Sequence, residues 1–304
     1  MKKQQLFTSF FVFLCVFSFS QTKEEVAKIT KDYDVEKIQS KVSYYKKLAE
    51  REKEIAVEAD LKNGWPILTK NDDGSIQELI KLSPDGYPIY YSTFNVAAAR
   101  STRTNHINTG GSLGLNINGE GMNIATWDGG PTLISHTEFL NPSSGSSRVL
   151  TPDASASNSQ SLHSTHVSGT IVARGVSSLA KGMAPLANLK SFDWDNDEQE
   201  VLNEATANGL LISNHSYGVP VLLQNGNQNA PTWFMGCYSS DARAWDLISY
   251  AAPYYLMVAS AGNDGNSSYN GGLLAGYDKL TGNKNSKNNL VVANAQDAVL
   301  HPNG

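Results

Sequence analysis

From about residue 112 onward, short apolar runs alternate with segments of helical character. The apolar runs predict strands at Met122–Trp127, Leu189–Phe192, Leu210–Ser213, Tyr255–Ser260 and Leu290–Ala293. Helices are predicted between them at Ser164–Ala173, Glu198–Ala207 and Asp241–Ala251. This alternation is typical of an α/β fold whose parallel sheet carries helices on both faces. Such sheets place their chemistry at the carboxyl ends of the strands. A stretch rich in Ser and Asn, residues 143–161, is predicted as a long surface loop.

The chain before that region follows a different pattern. Within residues 22–62, apolar positions recur at steps of three and four, at Val35, Ile38, Val42, Tyr45 and Ala49. This pattern predicts a helix that ends at Gly64-Trp65-Pro66, and a solvated coiled-coil arm is the alternative. Residues 67–95 predict short strands beside the turn dipeptides Asp73-Gly74 and Asp85-Gly86. A small α+β module is therefore expected ahead of the α/β region.

The first 20 residues have the layout of a secretory signal peptide. Lys2 and Lys3 precede the apolar run Leu6–Phe19, and Ser18 and Ser20 are small residues suited to a cleavage site. The run is too short to span a bilayer comfortably, and no later apolar run reaches membrane length. The sequence therefore predicts secretion, with no membrane span in this chain.

Composition narrows the classes of function. The 304 residues include 24 Lys and Arg against 29 Asp and Glu, a net charge of −5, which argues against a nucleic-acid partner. The apolar fraction of 40 % is enough for a real core. The two cysteines, Cys15 and Cys237, cannot make a disulfide framework. Twenty of the charges fall within residues 23–62, which sets that segment apart from the rest.

Three segments carry residues whose side chains could take part in catalysis or metal binding. Asp128 ends an apolar strand and is followed by two glycines. His163 opens a predicted helix, and Asn263 follows a buried strand between glycines. Taken singly, Asp128 and Asn263 would be ordinary turn residues. His163 and His166 could form a metal pair, but that spacing supplies at most two ligands.

Taken together, the segments resemble the subtilisin-like (subtilase) serine peptidases. In that family an Asp follows the first core strand, then comes a His in H-G-T-H-V-A-G-T, then an Asn in A-G-N. The order here is the same, with the second motif at residues 163–170 and the third at 261–263. Residues 182–185, Gly-Met-Ala-Pro, resemble the family's G-x-A-P turn, and residues 212–218 resemble its strand ending in S-x-G. Ser164 stands where the family usually has Gly, and Gly129 stands where it usually has Ser or Thr.

The resemblance implies a subtilisin-like fold and the hydrolysis of polypeptide substrates. Asp128 would orient His163, His163 would act as general base, and the Asn263 amide would stabilise the oxyanion. Residues Ser216, Tyr217 and Gly218 would pair with the substrate backbone. No cofactor is required; calcium binding occurs in the family, but no ligands can be assigned.

The resemblance also implies a domain organisation. Residues 1–20 would be the signal peptide, residues 21–105 a prosegment that inhibits the enzyme intramolecularly, and residues 106–304 a catalytic domain incomplete at its C-terminus. Maturation is expected somewhere within residues 95–112. No G-T-S-M-A segment, which holds the family's nucleophile, follows Asn263. The sequence therefore predicts a fragment that does not hydrolyse peptides alone.

Two other functions stay open at this point. One is a secreted binding module built on a degenerate peptidase fold. The other is an esterase using Ser112, because Gly110-Gly111-Ser112-Leu113-Gly114 matches G-x-S-x-G, although the strand and helix that this motif needs are not predicted around it. Acidic residues alternate at Asp193, Asp195 and Asp197. They suggest either a calcium loop or the acidic start of a helix. His136 and His215 are interpreted as packing or loop histidines.

Overall fold

The computed structural model describes residues 22–70, 76–93, 104–153, 160–176, 180–223, 225–266, 277 and 279–293. Six α-helices lie in these ranges: α1 Lys23–Thr30, α2 Val35–Asn63, α3 Thr104–Ile107, α4 Leu162–Val172, α5 Asp197–Ala207 and α6 Ser240–Ala251. The strands there are β1 Leu68–Lys70, β2 Ile76–Leu82, β3 Pro88–Thr93, β4 Asn123–Asp128, β5 Val149–Leu150, β6 Asn188–Asp193, β7 Ile212–His215, β8 Tyr217–Gly218, β9 Leu256–Ser260 and β10 Leu290–Val292.

A six-stranded parallel sheet forms the centre of the fold. Its strand order is β10-β9-β7-β4-β6-β5, so β4 lies inside the sheet between β7 and β6. Because all its pairs are parallel, the carboxyl ends of β4, β7 and β9 lie along one edge. The predicted arrangement of the α/β region is confirmed.

Helices cover both faces of this sheet. Alternating residues of β4 point to opposite sides: Trp127 belongs to the larger core cluster with residues of α5 and α6, whereas Ile124 packs against the cluster that includes Val172 of α4. Trp245 of α6 is a fully buried member of the larger cluster. The helix that carries His163 therefore packs on the opposite face from α5 and α6.

The N-terminal module, residues 22–93, packs onto the α5 side of the molecule. Helix α2 contacts both α5 and β2, and its side chains Ile38 and Tyr45 are buried. Gly64 ends α2 in a left-handed conformation at φ 66° and donates its N–H to Asp60. A solvated arm is therefore wrong for this helix, because one of its faces is buried.

The strands of this module join a second sheet in the order β1-β2-β3-β8, and β3 begins at Pro88 as the missing N–H of proline favours. The last pairing crosses from the N-terminal module to the α/β region. Ser92 pairs antiparallel with Gly218, and Thr93 with Tyr217.

One predicted loop is partly wrong. Residues 143–161 contain β5, whose Val149 pairs with Leu189 and is fully buried. Two residues carry too little pattern to reveal a strand in sequence. The proposed signal peptide, Cys15, the turn at 73–74, the first half of the expected maturation region and Ser267 and Ser268 lie outside the described residues. None of the helices described here is long and apolar enough to cross a bilayer.

Candidate active site

Asp128 is the last residue of the central strand β4. The strand becomes fully buried along its second half, so the Asp128 carboxylate is removed from solvent with an exposed fraction of 0 %. Its Oδ1 atom accepts the Gly129 N–H at 2.7 Å. A buried carboxylate needs such partners, because burying a charge without hydrogen bonds is costly.

His163 is brought to Asp128 by the start of α4. Ser161 caps this helix by accepting the N–H of Ser164 at 3.1 Å. His163 Nδ1 lies 2.8 Å from Asp128 Oδ1 and 2.9 Å from Oδ2. Because an ionised carboxylate can only accept, the imidazole donates through Nδ1, and in the neutral ring Nε2 is then the nitrogen with the lone pair. That Nε2 is buried and has no hydrogen-bond partner among the described residues.

Small hydroxyl side chains hold α4 against the segment that follows Asp128. The Ser164 hydroxyl donates to Gly130 O at 2.6 Å, and Leu133 N–H donates to the Thr165 hydroxyl at 2.9 Å. The residue that departs from the family motif, Ser164, thus makes a hydrogen bond beside the site. Thr132 adds a buried hydroxyl cluster with Ser168 at 2.7 Å and Ser191 at 2.8 Å.

The turn at residues 182–184 closes onto the end of the same helix. Gly182 N–H donates to Ala173 O, Met183 N–H to Thr170 O and Ala184 N–H to Ile171 O. A Cβ at Gly182 would lie 2.6 Å from Ala173 N and 2.7 Å from Gly169 O. Glycine is required there because the two backbones touch.

A second carboxyl group, that of Asp193, lies beside Asp128 in the sheet. Asp193 ends β6 and is in register with Asp128. Burial, with smaller contributions from Asp195, Glu78 and Asp153, raises the pKa of Asp193 to about 8. At neutral pH this neighbour is mostly protonated, so it adds little negative charge next to Asp128.

The predicted substrate-pairing residues lie just past β7. Ser216 accepts the Asn214 amide at 2.9 Å, and Tyr217 and Gly218 form β8. Their partner in this structure is the end of β3. Strand β8 is thus an edge that accepts an extended antiparallel chain.

Asn263 follows β9 and is exposed. Gly262 before it has φ 104°, and the Asp264 carboxylate after it accepts the Val221 N–H at 2.9 Å. Because β9, β7 and β4 are parallel, Asn263 leaves the sheet at the edge that holds Asp128. A hydrogen bond joins Asp128 to His163 directly. Among the described residues, Asn263 makes no hydrogen bond to either of them.

Comparison with known proteins decides the family. The sequence model of the subtilase family (Peptidase_S8) matches residues 85–299. The chain belongs to the subtilase family. No curated protein matches the sequence of this subtilase.

Solved protease structures show weaker likeness to this subtilase. A mutant of the protease domain of PatA is 20 % identical, with a TM-score of 0.36 over 57 % of each chain. The Clostridium perfringens CspB protease is 16 % identical, with a TM-score of 0.37 over 56 % of this chain and 41 % of that one. The subtilase therefore spans only 57 % and 41 % of the lengths of these two chains.

The esterase motif of the subtilase is not in the required setting. Ser112 lies in a turn region after the short helix α3, where Gly111 N–H donates to Asn108 O and Gly114 N–H to Gly111 O. A nucleophile elbow needs a strand before the serine and a helix after it. Ser112 therefore does not have the environment of that nucleophile.

The acidic run of the subtilase lies at the start of a helix. Asp195 lies in a 3₁₀ turn, and Asp197 is the first residue of α5. Among the residues that the structure describes, no group of three or more His, Cys, Asp or Glu is arranged to hold a metal ion.

His215 packs in the core, as expected for a packing histidine, and it also hydrogen-bonds through both ring nitrogens. Nε2 lies 2.7 Å from the Ser213 hydroxyl, and Nδ1 lies 2.8 Å from the Tyr217 hydroxyl. Burial lowers the pKa of His215 to about 3, so the ring is neutral. The alternation Ser213, His215, Tyr217 along an extended segment was the available sequence signal, because it places three polar side chains on one face. His136, by contrast, is exposed, and its Nδ1 accepts Glu138 N–H at 3.3 Å.

Proposed function

We propose that this subtilase is a secreted serine endopeptidase in which Asp128 and His163 are two members of an Asp-His-Ser triad. The observation that carries the proposal is the contact of His163 Nδ1 with both Asp128 oxygens, at 2.8 and 2.9 Å, together with the unpartnered Nε2. A serine hydroxyl is a poor nucleophile until a base removes its proton. An imidazole fixed in this tautomer can act as that base.

The proposed reaction assigns one task to each group. His163 Nε2 takes the proton of the serine hydroxyl while the serine oxygen attacks the scissile carbonyl carbon. Asp128 stabilises the imidazolium that forms, and the Asn263 side-chain amide donates to the oxyanion. His163 then gives its proton to the leaving amine as the peptide bond breaks. Water repeats the sequence on the acyl-enzyme.

The same proposal makes residues 21–105 an inhibitory prosegment. Its support is the pairing of Ser92 and Thr93 with Gly218 and Tyr217. If β8 binds the substrate backbone, the end of β3 lies where a substrate chain would lie. Access to the site would then require β3 to leave β8.

The attacking serine of the triad is not found among the residues that the structure describes. None of the described serines hydrogen-bonds to His163 Nε2, and Ser286, which follows Asn263 in sequence, is buried beside Asn283. We therefore propose that residues 21–304 alone do not cleave peptides and that another segment supplies the nucleophile. The predicted signal peptide accounts for export, and N-terminal sequencing of the exported protein tests it.

A fluorophosphonate probe tests the function, because it labels only serines that a neighbouring base activates. The protein isolated from its natural source should be labelled and should cleave an unfolded polypeptide, whereas its His163→Ala variant should do neither. Residues 21–304 produced alone should also be inert. Mass-spectrometric mapping of the labelled serine separates the alternatives: label on Ser112 supports an esterase. No label and no cleavage in the isolated protein supports a binding module.

A further inference from the structure

The short strand β8 is anchored through a buried side chain. Tyr217 has an exposed fraction of 0 %, although its backbone lies at the edge that pairs with β3. Its hydroxyl lies 2.5 Å from Asp197 Oδ2 and 2.8 Å from His215 Nδ1. Among the described residues, Tyr217 is therefore the one that links β8 to the interior through side-chain polar contacts.

These contacts belong to a longer chain of hydrogen bonds. His215 Nε2 lies 2.7 Å from the Ser213 hydroxyl, which lies 2.5 Å from the Tyr255 hydroxyl. Asp197 terminates the chain at α5, and Tyr255 terminates it next to β9. The five residues thus connect α5, β7, β8 and the residue before β9 through the inside of the molecule.

The proton arrangement along this chain has one consistent direction. The Asp197 carboxylate can only accept when ionised, so Tyr217 donates its O–H to it and accepts from His215 Nδ1–H. His215 Nε2 must then accept the Ser213 O–H, and the Ser213 oxygen accepts the Tyr255 O–H. The neutral state of His215 fits this arrangement. Hydrogen bonds aligned in this way strengthen one another in a buried environment.

His215 also connects this chain to the Asp128 side of the site. Its ring stacks on Trp127 with centroids 5.3 Å apart and planes 2° apart, and Trp245 meets it edge-on at 4.8 Å. Trp127 and His215 are partners in the β4–β7 register, and Trp127 immediately precedes Asp128. The same imidazole therefore contacts the support of Asp128 and the anchor of β8.

We propose that Tyr217, His215 and Asp197 are positioning residues that hold the substrate-pairing strand β8 in register with Asp128 and His163. This inference rests on the proposed function for its kinetic consequence, but the anchoring itself concerns the strand alone. An extended substrate gains binding from each backbone hydrogen bond with a strand edge. A loosened β8 should therefore weaken the binding of long substrates while the chemistry at His163 continues.

Tyr217→Phe in the full-length protein tests the inference, because it removes one hydroxyl and leaves the ring. For a peptide long enough to pair with β8, we expect KM to rise about tenfold, as for one lost hydrogen bond. For a single-residue ester, KM and kcat should stay within about twofold of the parent. Tyr238→Phe is the matched control, since it removes an exposed hydrogen bond of 2.7 Å from Tyr238 to Asp246. It should leave KM and kcat unchanged for both substrates.

A conservative pair at Asp197 separates positioning from folding. Asp197→Asn keeps a carbonyl oxygen that can accept the Tyr217 O–H, so its KM for the long peptide should stay near the parent value. Asp197→Ala removes the acceptor and should reproduce the effect of Tyr217→Phe. A lower melting temperature with unchanged KM in both Tyr217→Phe and Asp197→Ala would show a merely structural role and overturn the inference.

Amide hydrogen exchange tests the anchoring without catalysis. In the Tyr217→Phe protein, the amides of residues 217–219 should exchange several-fold faster, whereas those of β4 and β9 should not change. If the parent protein shows no peptidase activity, the proposed function fails and this measurement still decides the anchoring. Unchanged exchange at residues 217–219 would refute the anchoring whatever the activity.

Discussion

His163 Nδ1 is within hydrogen-bond distance of both carboxylate oxygens of Asp128, at 2.8 and 2.9 Å, across 35 residues of sequence. The central strand supplies the carboxylate, and a helix from the opposite face to α5 and α6 supplies the imidazole. The contact is complete within the described residues and needs no further group to fix the tautomer. The pair can therefore be tested independently of where the nucleophile lies.

Replacing either member of this pair should abolish peptide cleavage by the full-length protein. Asp128→Asn should lower kcat about 10⁴-fold, because an amide no longer fixes the His163 tautomer or stabilises the imidazolium. His163→Ala should lose nearly all activity, because it removes the base. His166→Ala is the control, since His166 is one turn further along α4 and exposed. Turnover within about tenfold of the parent in His163→Ala would reject the assignment.

Gly182→Ala should destabilise the molecule through the end of α4. The new Cβ would lie 2.6 Å from Ala173 N and 2.9 Å from Ile171 C, so backbone must move, at a cost of about 1–3 kcal/mol. Gly169→Ala is the matched control: a Cβ there meets nothing within 4 Å. That variant should be unchanged or up to about 1 kcal/mol more stable, because alanine favours a helix interior. Urea unfolding measures both, and equal midpoints would contradict the close approach at Gly182.

A buried ion pair should anchor the N-terminal module. Lys81 of β2 hydrogen-bonds to Asp241 at the start of α6, with side chains only 15 % and 8 % exposed. Burial alone would lower the pKa of Lys81, but the negative charges of Asp241 and Glu52 outweigh it and raise that pKa. The lysine therefore stays charged at neutral pH.

Breaking this pair from one side should cost about 3–5 kcal/mol of unfolding free energy, since it leaves a buried charge without its partner. Lys81→Met does so. Asp241→Asn should cost less, because Lys81 keeps Glu52 as a partner 3.8 Å away, and the double variant should be less destabilised than the sum of the two. Lys31→Met removes an exposed lysine that is 4.0 Å from Asp32 and should have little effect. Strict additivity of the two buried substitutions would show that they do not interact.

Sequence patterns predicted the elements that carry their own signal. Strand β9 lies at Leu256–Ser260, close to the predicted Tyr255–Ser260, because its residues form a short continuous apolar run. Strand β5 was missed, because its two residues are defined only by pairing with β6. The pairing of β3 with β8 was also invisible, since no local pattern states which distant edge a strand joins.

The residues of the site also differ in how far the sequence alone reveals them. Asp128 and His163 could be found because each sits in an ordered motif at an element boundary. The roles of His215 and Asp197 could not, because their hydrogen bonds join α5, β7 and β8, which are separate in sequence. Alternation on one strand face hints at such a network, but the partner that ends it comes from another element.

The Glu200 carboxyl should contribute less stability to the protein as pH rises from about 5 to 8. Burial raises the pKa of Glu200 to about 8, with smaller contributions from Asp153, Asp197 and Asp193, while its hydrogen bond from Trp127 Nε1 opposes the shift. An unfolded glutamate titrates near ~4.3. Between these values the folded state holds a proton that the unfolded state has lost, so the free energy of unfolding declines with pH.

Glu200→Gln isolates this contribution. Its amide oxygen can still accept the Trp127 indole N–H, but the side chain no longer titrates, so the decline in melting temperature between pH 5 and pH 8 should become shallower. Asp193, whose pKa is also raised to about 8, acts in the same direction and should leave part of the slope in place. His215, with its pKa lowered to about 3, acts in the opposite direction, because below ~6.5 the unfolded state gains a proton that the folded state does not bind, so stability falls as pH falls. Glu58→Gln changes an exposed glutamate of α2 and serves as the control. A slope in Glu200→Gln identical to that of the parent would show that the Glu200 carboxyl does not hold its proton in the folded state.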